Sequence, residues 1–166
     1  MSMPLDDQSA WTLLRDLDDP DHLEHPRDYD YTTTRAKFNQ LATRLDRRFH
    51  CSCAVDRHVQ DASHHGVIVI PATATASADH ITITVSNFGD LAAVTLGNPG
   101  SYDEQEEEEL FHSDDRHRIE DELHALGYHA VSEHILWVRY DGVSGLASHY
   151  PPERPPAWWI RFFDYL

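Results

Sequence analysis

His80-Ile81-Thr82-Ile83-Thr84-Val85-Ser86-Asn87 is the stretch that decides the fold. Apolar β-branched residues at 81, 83 and 85 alternate with Thr82, Thr84 and Ser86, which is the two-residue period of a strand with one apolar face. The alternation predicts a half-buried strand whose hydroxyl face meets solvent. Asn87-Phe88-Gly89-Asp90 supplies turn residues, and Leu91-Ala92-Ala93-Val94-Thr95-Leu96 follows as a second apolar run. So short a turn joins antiparallel neighbours, because parallel pairs need a long crossover.

Working outward, Gly66-Val67-Ile68-Val69-Ile70 and Cys51-Ser52-Cys53-Ala54-Val55 read as two earlier strands, and Ile135-Leu136-Trp137-Val138-Arg139 as a later one. Trp158-Trp159-Ile160-Arg161-Phe162-Phe163-Asp164-Tyr165-Leu166 reads as an extended segment with aromatics on both faces, which places it inside the sheet. Two helices accompany these strands. The first covers about residues 33–49, with threonines 32–34 as caps and Phe38, Leu41, Leu45 and Phe49 on one face. Its Arg35, Arg44, Arg47 and Arg48 are placed to shield acidic residues nearer the N-terminus. The second starts near Ser113, buries Ile119, Leu123 and Leu126, and ends at Gly127. Gly97-Asn98-Pro99-Gly100 stops the sheet between them. The expected fold is therefore α+β: a mainly antiparallel sheet of about five or six strands with two principal helices packed on it.

The net charge of −16 is not spread evenly. Residues 1–30 carry nine carboxylates against Arg15 and Arg27, and residues 103–122 carry eleven against Arg116 and Arg118; the rest of the chain is formally neutral. Residues 1–30 read as a poorly ordered acidic arm holding one short helix, with Trp11, Leu14 and Leu17 as a stripe able to dock. Residues 31–166 read as a single α+β domain, and 166 residues suffice for one core. There is no apolar run of about 18 residues and no signal-like N-terminus, so the expected location is the cytoplasm. Binding to nucleic acid requires Lys and Arg to neutralise phosphates, and this chain has one lysine, Lys37, and far more acids than bases. A basic protein is the natural complement.

That reasoning gives a candidate partner-binding surface of Asp103, Glu106, Glu107, Glu108, Glu109, Phe111, Asp114 and Asp115. The carboxylates would steer a cationic partner, with Leu110 and Phe111 as an apolar rim and Tyr102 beside it. A solvated acidic loop accounts for the same run without any partner.

Thirteen histidines and two cysteines raise a metal reading, densest at Cys51, Cys53, His58, His64 and His65. No C-x2-C pair supports it, and two thiols packed in a reducing compartment account for the Cys-x-Cys spacing. Lying about 6.6 Å apart along a strand, their Cα atoms are near the limit for a disulfide. No Gly-x-Ser-x-Gly elbow, His-Glu-x-x-His helix or Walker loop is present, so no catalytic residue and no cofactor are assigned. A third reading is self-association through the C-terminal aromatics.

The order of helix, antiparallel meander, acidic second helix and aromatic C-terminal segment resembles small immunity proteins of bacterial polymorphic-toxin systems. The resemblance is carried by Ile81-Thr82-Ile83-Thr84-Val85-Ser86-Asn87-Phe88-Gly89 and Trp158-Trp159-Ile160-Arg161-Phe162-Phe163. It implies a compact, acidic cytoplasmic protein that blocks a toxin by covering its active site. Twelve arginines to one lysine fit a GC-rich bacterial source.

Overall fold

A computed structural model describes residues 6–165; residues 1–5 of the acidic N-terminal segment and Leu166 of the C-terminal stretch lie outside the described residues. Alternation at residues 81–86 does produce a strand, and it is central. Five strands, β1 (Ala54–Asp56), β2 (His64–Ile70), β3 (Ile81–Ser86), β4 (Leu91–Leu96) and β5 (His129–Val131), lie in sequence order. The first four form the expected antiparallel meander, with Ile83 opposite both Ile68 and Val94. Gly89 and Asp90 both have positive φ, 54° and 56°, in the four-residue β3–β4 connection, where the Leu91 N–H donates to the Phe88 carbonyl at 3.0 Å. A Cβ on Gly89 would also meet the Leu17 side chain at 2.4 Å.

Strand β5 pairs parallel to β4. A parallel return needs a crossover, and α3 (Glu104–Leu110) and α4 (Ser113–Ala125) supply it. The run of acids at 103–109, open to reading as a loop, is thus helical. Its N-terminus is fixed by a capping box: the Asp103 carboxylate accepts from the Glu106 N–H at 2.8 Å, and Glu106 returns a bond to the Asp103 N–H at 3.1 Å.

Helices cover both faces of the sheet. On one side α2 (Tyr31–Phe49) and α4 lay Phe38, Leu41, Leu45, Phe49, Ile119 and Leu123 over Ile68, Ile81, Ile83 and Val94. On the other, α1 (Asp7–Leu17), α5 (Glu133–Leu136) and α6 (Trp158–Phe163) bring Leu14, Ile135, Trp158, Phe162 and Phe163 against Phe88, Leu91 and Ala93. The expectation that β3 faces solvent on its hydroxyl side is therefore corrected: every residue of β3 and β4 is buried. The Thr82 hydroxyl finds its partner inside, donating to the Gly97 carbonyl at 2.8 Å.

Three further expectations change. The C-terminal aromatics form helix α6 rather than a strand, because Trp158, Trp159, Phe162 and Phe163 recur at the i, i+1, i+4, i+5 spacing of one helix face. Residues 135–139 are not a strand; α5 occupies the first of them, and Arg139 makes only an isolated bridge to Ala157. Residues 6–30 are not a loose arm. Leu14 is fully buried, Trp11 packs edge-on against Trp158, and the fully buried Arg161 guanidinium reaches across to Asp18 at 2.7 Å. Arg161 also donates to the carbonyls of Asp19, His22 and Leu23, so one side chain pins residues 18–23 to α6. Two of the α2 arginines pair elsewhere: Arg44 and Arg48 meet Glu122 and Asp121 on α4, not the N-terminal acids. Among the described residues no helix is long and apolar enough to cross a membrane.

Candidate functional site

The crossover helices leave a cavity of about 670 Å³ between α3, α4 and the β5–α5 corner. Four side chains set its character. Glu107 turns inward from α3, Arg116 and Glu120 project from α4, and Glu133 comes from the first turn of α5. Glu133 is buried, and one of its oxygens accepts from the Gly100 N–H at 2.7 Å and from the Trp137 indole N–H at 2.9 Å. Arg116 lies 3.2 Å from Glu107 and 3.8 Å from Glu120, with its guanidinium 4.2 Å above the Phe111 ring. One guanidinium thus pairs with two of the three carboxylates, Glu107 and Glu120.

The imbalance shows in proton affinity. Burial pushes the Glu107 carboxyl up to about 7, a hydrogen bond and repulsion from Glu133 add to the rise, and Arg116 opposes it. Burial raises Glu120 as well. Glu107 therefore retains part of its proton near neutrality, chiefly because it is taken out of water. Trp137, 43 % exposed, stands at its edge, held by Glu133 and stacked on Trp159 at 5.1 Å.

Of the eight residues expected on a partner surface, Asp103, Glu107, Glu108 and Phe111 line this cavity. Glu106 and Glu109 are exposed on the outer side of α3, and Asp114 is exposed at the start of α4. Asp115 is corrected: it is fully buried and accepts from the Ala76 N–H, the Ser77 N–H and the Ser77 hydroxyl at 3.0, 2.7 and 2.6 Å. It is a clamp for the loop before β3, closed to any partner. Helix α4 starts at Ser113 as expected and is capped by the His112 ring, which accepts from the Asp114 N–H at 3.1 Å. Glu120, Glu133, His134 and Trp137 were not anticipated: Glu120 lay within an expected helix, Trp137 within a segment read as a strand, and only the cavity brings the four to α3.

The residues of the alternative Cys/His reading separate. Cys51 and Cys53 stand 3.8 Å apart beside Asp46. Burial, with Asp46 next, pushes the Cys53 thiol well above its ordinary range. His58 is exposed on the β1–β2 connection. His64 packs edge-on against Tyr165, whereas His65 lies against Phe38 and bonds Tyr29 and Asn87. Burial lowers the proton affinity of both rings, that of His65 to about 4. Of the C-terminal aromatics, Trp158, Trp159, Phe162 and Phe163 sit inside the second core, whereas Tyr165 is exposed.

Comparison with family models, curated proteins and solved structures returned no match to this chain.

Proposed function

We propose that this chain is a non-enzymatic protein-binding domain that captures a cationic protein on α3 and the adjoining cavity, as an immunity-type inhibitor captures a toxin. One observation carries the reading. Glu106, Glu108 and Glu109 stand exposed on α3, and among the described residues no lysine or arginine pairs with them. An anionic surface left uncompensated by its own fold attracts a basic partner and speeds encounter.

The cavity adds a specific anchor to this general attraction. A guanidinium or ammonium group from the partner would enter beside Glu107 and Glu133, replace the proton that burial holds on Glu107, and lie against the Trp137 ring. The indole is already fixed by Glu133 and Trp159, so little side-chain entropy is lost on binding. Binding of this kind takes place in the cytoplasm, before a cationic toxin reaches its substrate.

The test begins with capture from source-organism lysate at low salt and elution at high salt. The identified basic partner is then mixed rapidly with wild type and with the Glu106→Lys/Glu108→Lys/Glu109→Lys variant. The expected result is a steep fall of the association rate with salt for wild type and a much slower low-salt rate for the variant. Equal low-salt rates for the two proteins would remove α3 from the interface.

A further inference from the structure

Away from the acidic cavity, the end of α2 is built around a feature that neither the fold nor the proposed interface uses. Helix α2 closes with a Schellman turn: His50 adopts φ 51°, its N–H bonds the Arg47 carbonyl, and the Cys51 N–H reaches back to the Asp46 carbonyl at 3.0 Å. The reversal carries residues 51–53 back alongside the last helical turn. There the Cys53 N–H donates to one Asp46 carboxylate oxygen at 2.8 Å and fixes that side chain toward both thiols. A carboxylate at this end of a helix lies against the negative pole of the dipole, where a cation and not an anion is favoured.

We propose that Asp46, Cys51 and Cys53 form a binding site for one soft divalent cation of the zinc class. The geometry agrees with tetrahedral coordination. Metal–sulfur bonds of about 2.3 Å at the tetrahedral angle hold two thiolate sulfurs roughly 3.8 Å apart. The Cys51 and Cys53 sulfurs are 3.8 Å apart, and one ligand atom from each of the three residues lies within 4.8 Å of the others. All three residues are half-buried, so the fourth position opens to water or to an incoming ligand. Chemistry favours a soft metal, because two of the three donors are sulfur. On binding, both thiol protons leave to solvent and the cation joins two thiolates and one carboxylate, with no change in oxidation state.

The experiment is a Cd2+ titration of tag-free, chelator-treated protein under a non-thiol reductant, followed by ultraviolet absorbance. A sulfur-to-metal charge-transfer band that saturates at one equivalent and is reversed by excess Zn2+-loaded chelator is the expected result. Cys51→Ser and Cys53→Ser should each abolish the saturating band, and Asp46→Asn should weaken Cd2+ binding by roughly tenfold or more. Matching far-ultraviolet circular dichroism of the metal-free variants keeps a folding defect separate from lost ligation. No sulfur band, a band that survives either serine variant, or Asp46→Asn with wild-type affinity would overturn the site. Binding without a sulfur band would place the metal on histidines and equally reject it.

Discussion

Asp114 and Asp115 are neighbours of identical chemistry with opposite fates. Asp114 points to solvent at the start of α4, whereas Asp115 is fully buried and holds three hydrogen bonds from residues 76 and 77. Removing the buried carboxylate orphans two N–H groups and a hydroxyl, so Asp115→Ala should cost about 2–4 kcal/mol in urea unfolding, and Asp114→Ala under about 1 kcal/mol. Equal effects would mean that the clamp contributes nothing. Nothing in the sequence separates the two, because a single residue step turns a helical side chain by 100° and the loop that meets Asp115 is remote in the chain. Glu107 against Glu106 repeats the lesson: one faces the cavity and the other closes a capping box on its own helix.

At the scale of elements, what was legible is what has a long period. Residues 81–86 and 91–96 carry enough alternation or apolar length to define β3 and β4, and the Phe38, Leu41, Leu45, Phe49 stripe defines α2. Helix α6 has six residues, fewer than two turns, and over so short a span aromatic pairs satisfy a strand and a helix alike. Strand β5 has three residues and exists only because the α3–α4 crossover delivers it to β4. Misreading α6 also hid the role of Arg161, whose charge looks solvent-bound in a strand. Its guanidinium instead lies between the Phe88 and Phe162 rings and holds Asp18, itself bonded by the Tyr140 hydroxyl and the Val143 N–H. Arg161→Met strands the Asp18 charge and three carbonyls, a loss of about 3–5 kcal/mol. The expected signature is local as well as global: limited proteolysis should cut within residues 18–28 long before the sheet is attacked. Uniform cleavage kinetics in the variant would show that α1 is held by its apolar face alone.

For the whole molecule, the half-buried Glu107 and the buried His65 set opposing dependences on pH. Glu107 is raised from the ordinary carboxylate value of 4.5 to about 7, so its contribution is fully present below pH 4.5 and is lost as pH rises through about 7. His65 is lowered from 6.5 to about 4, so its contribution is present above pH 6.5 and is lost as pH falls through about 4. Each shift corresponds to something on the order of 3 kcal/mol, and the two windows overlap between those limits. Asp19, Asp30 and Asp79, lowered by hydrogen bonds, act only below the ordinary aspartate value of 3.8 and do not enter this range. Wild type should therefore show a shallow stability profile between about pH 5 and pH 7.5, because its two largest contributions cancel. Glu107→Gln removes one of them and leaves His65 exposed to view: the variant should lose about 2–3 kcal/mol on going from pH 7.5 to pH 5. His65→Gln, though less stable throughout, should slope the other way and be relatively steadier at pH 5. Urea midpoints of the three proteins at the two pH values measure both slopes. A Glu107→Gln profile parallel to that of wild type would mean that Glu107 is ionised in the free protein at pH 7, and that no proton waits in the cavity for a partner's cation to displace.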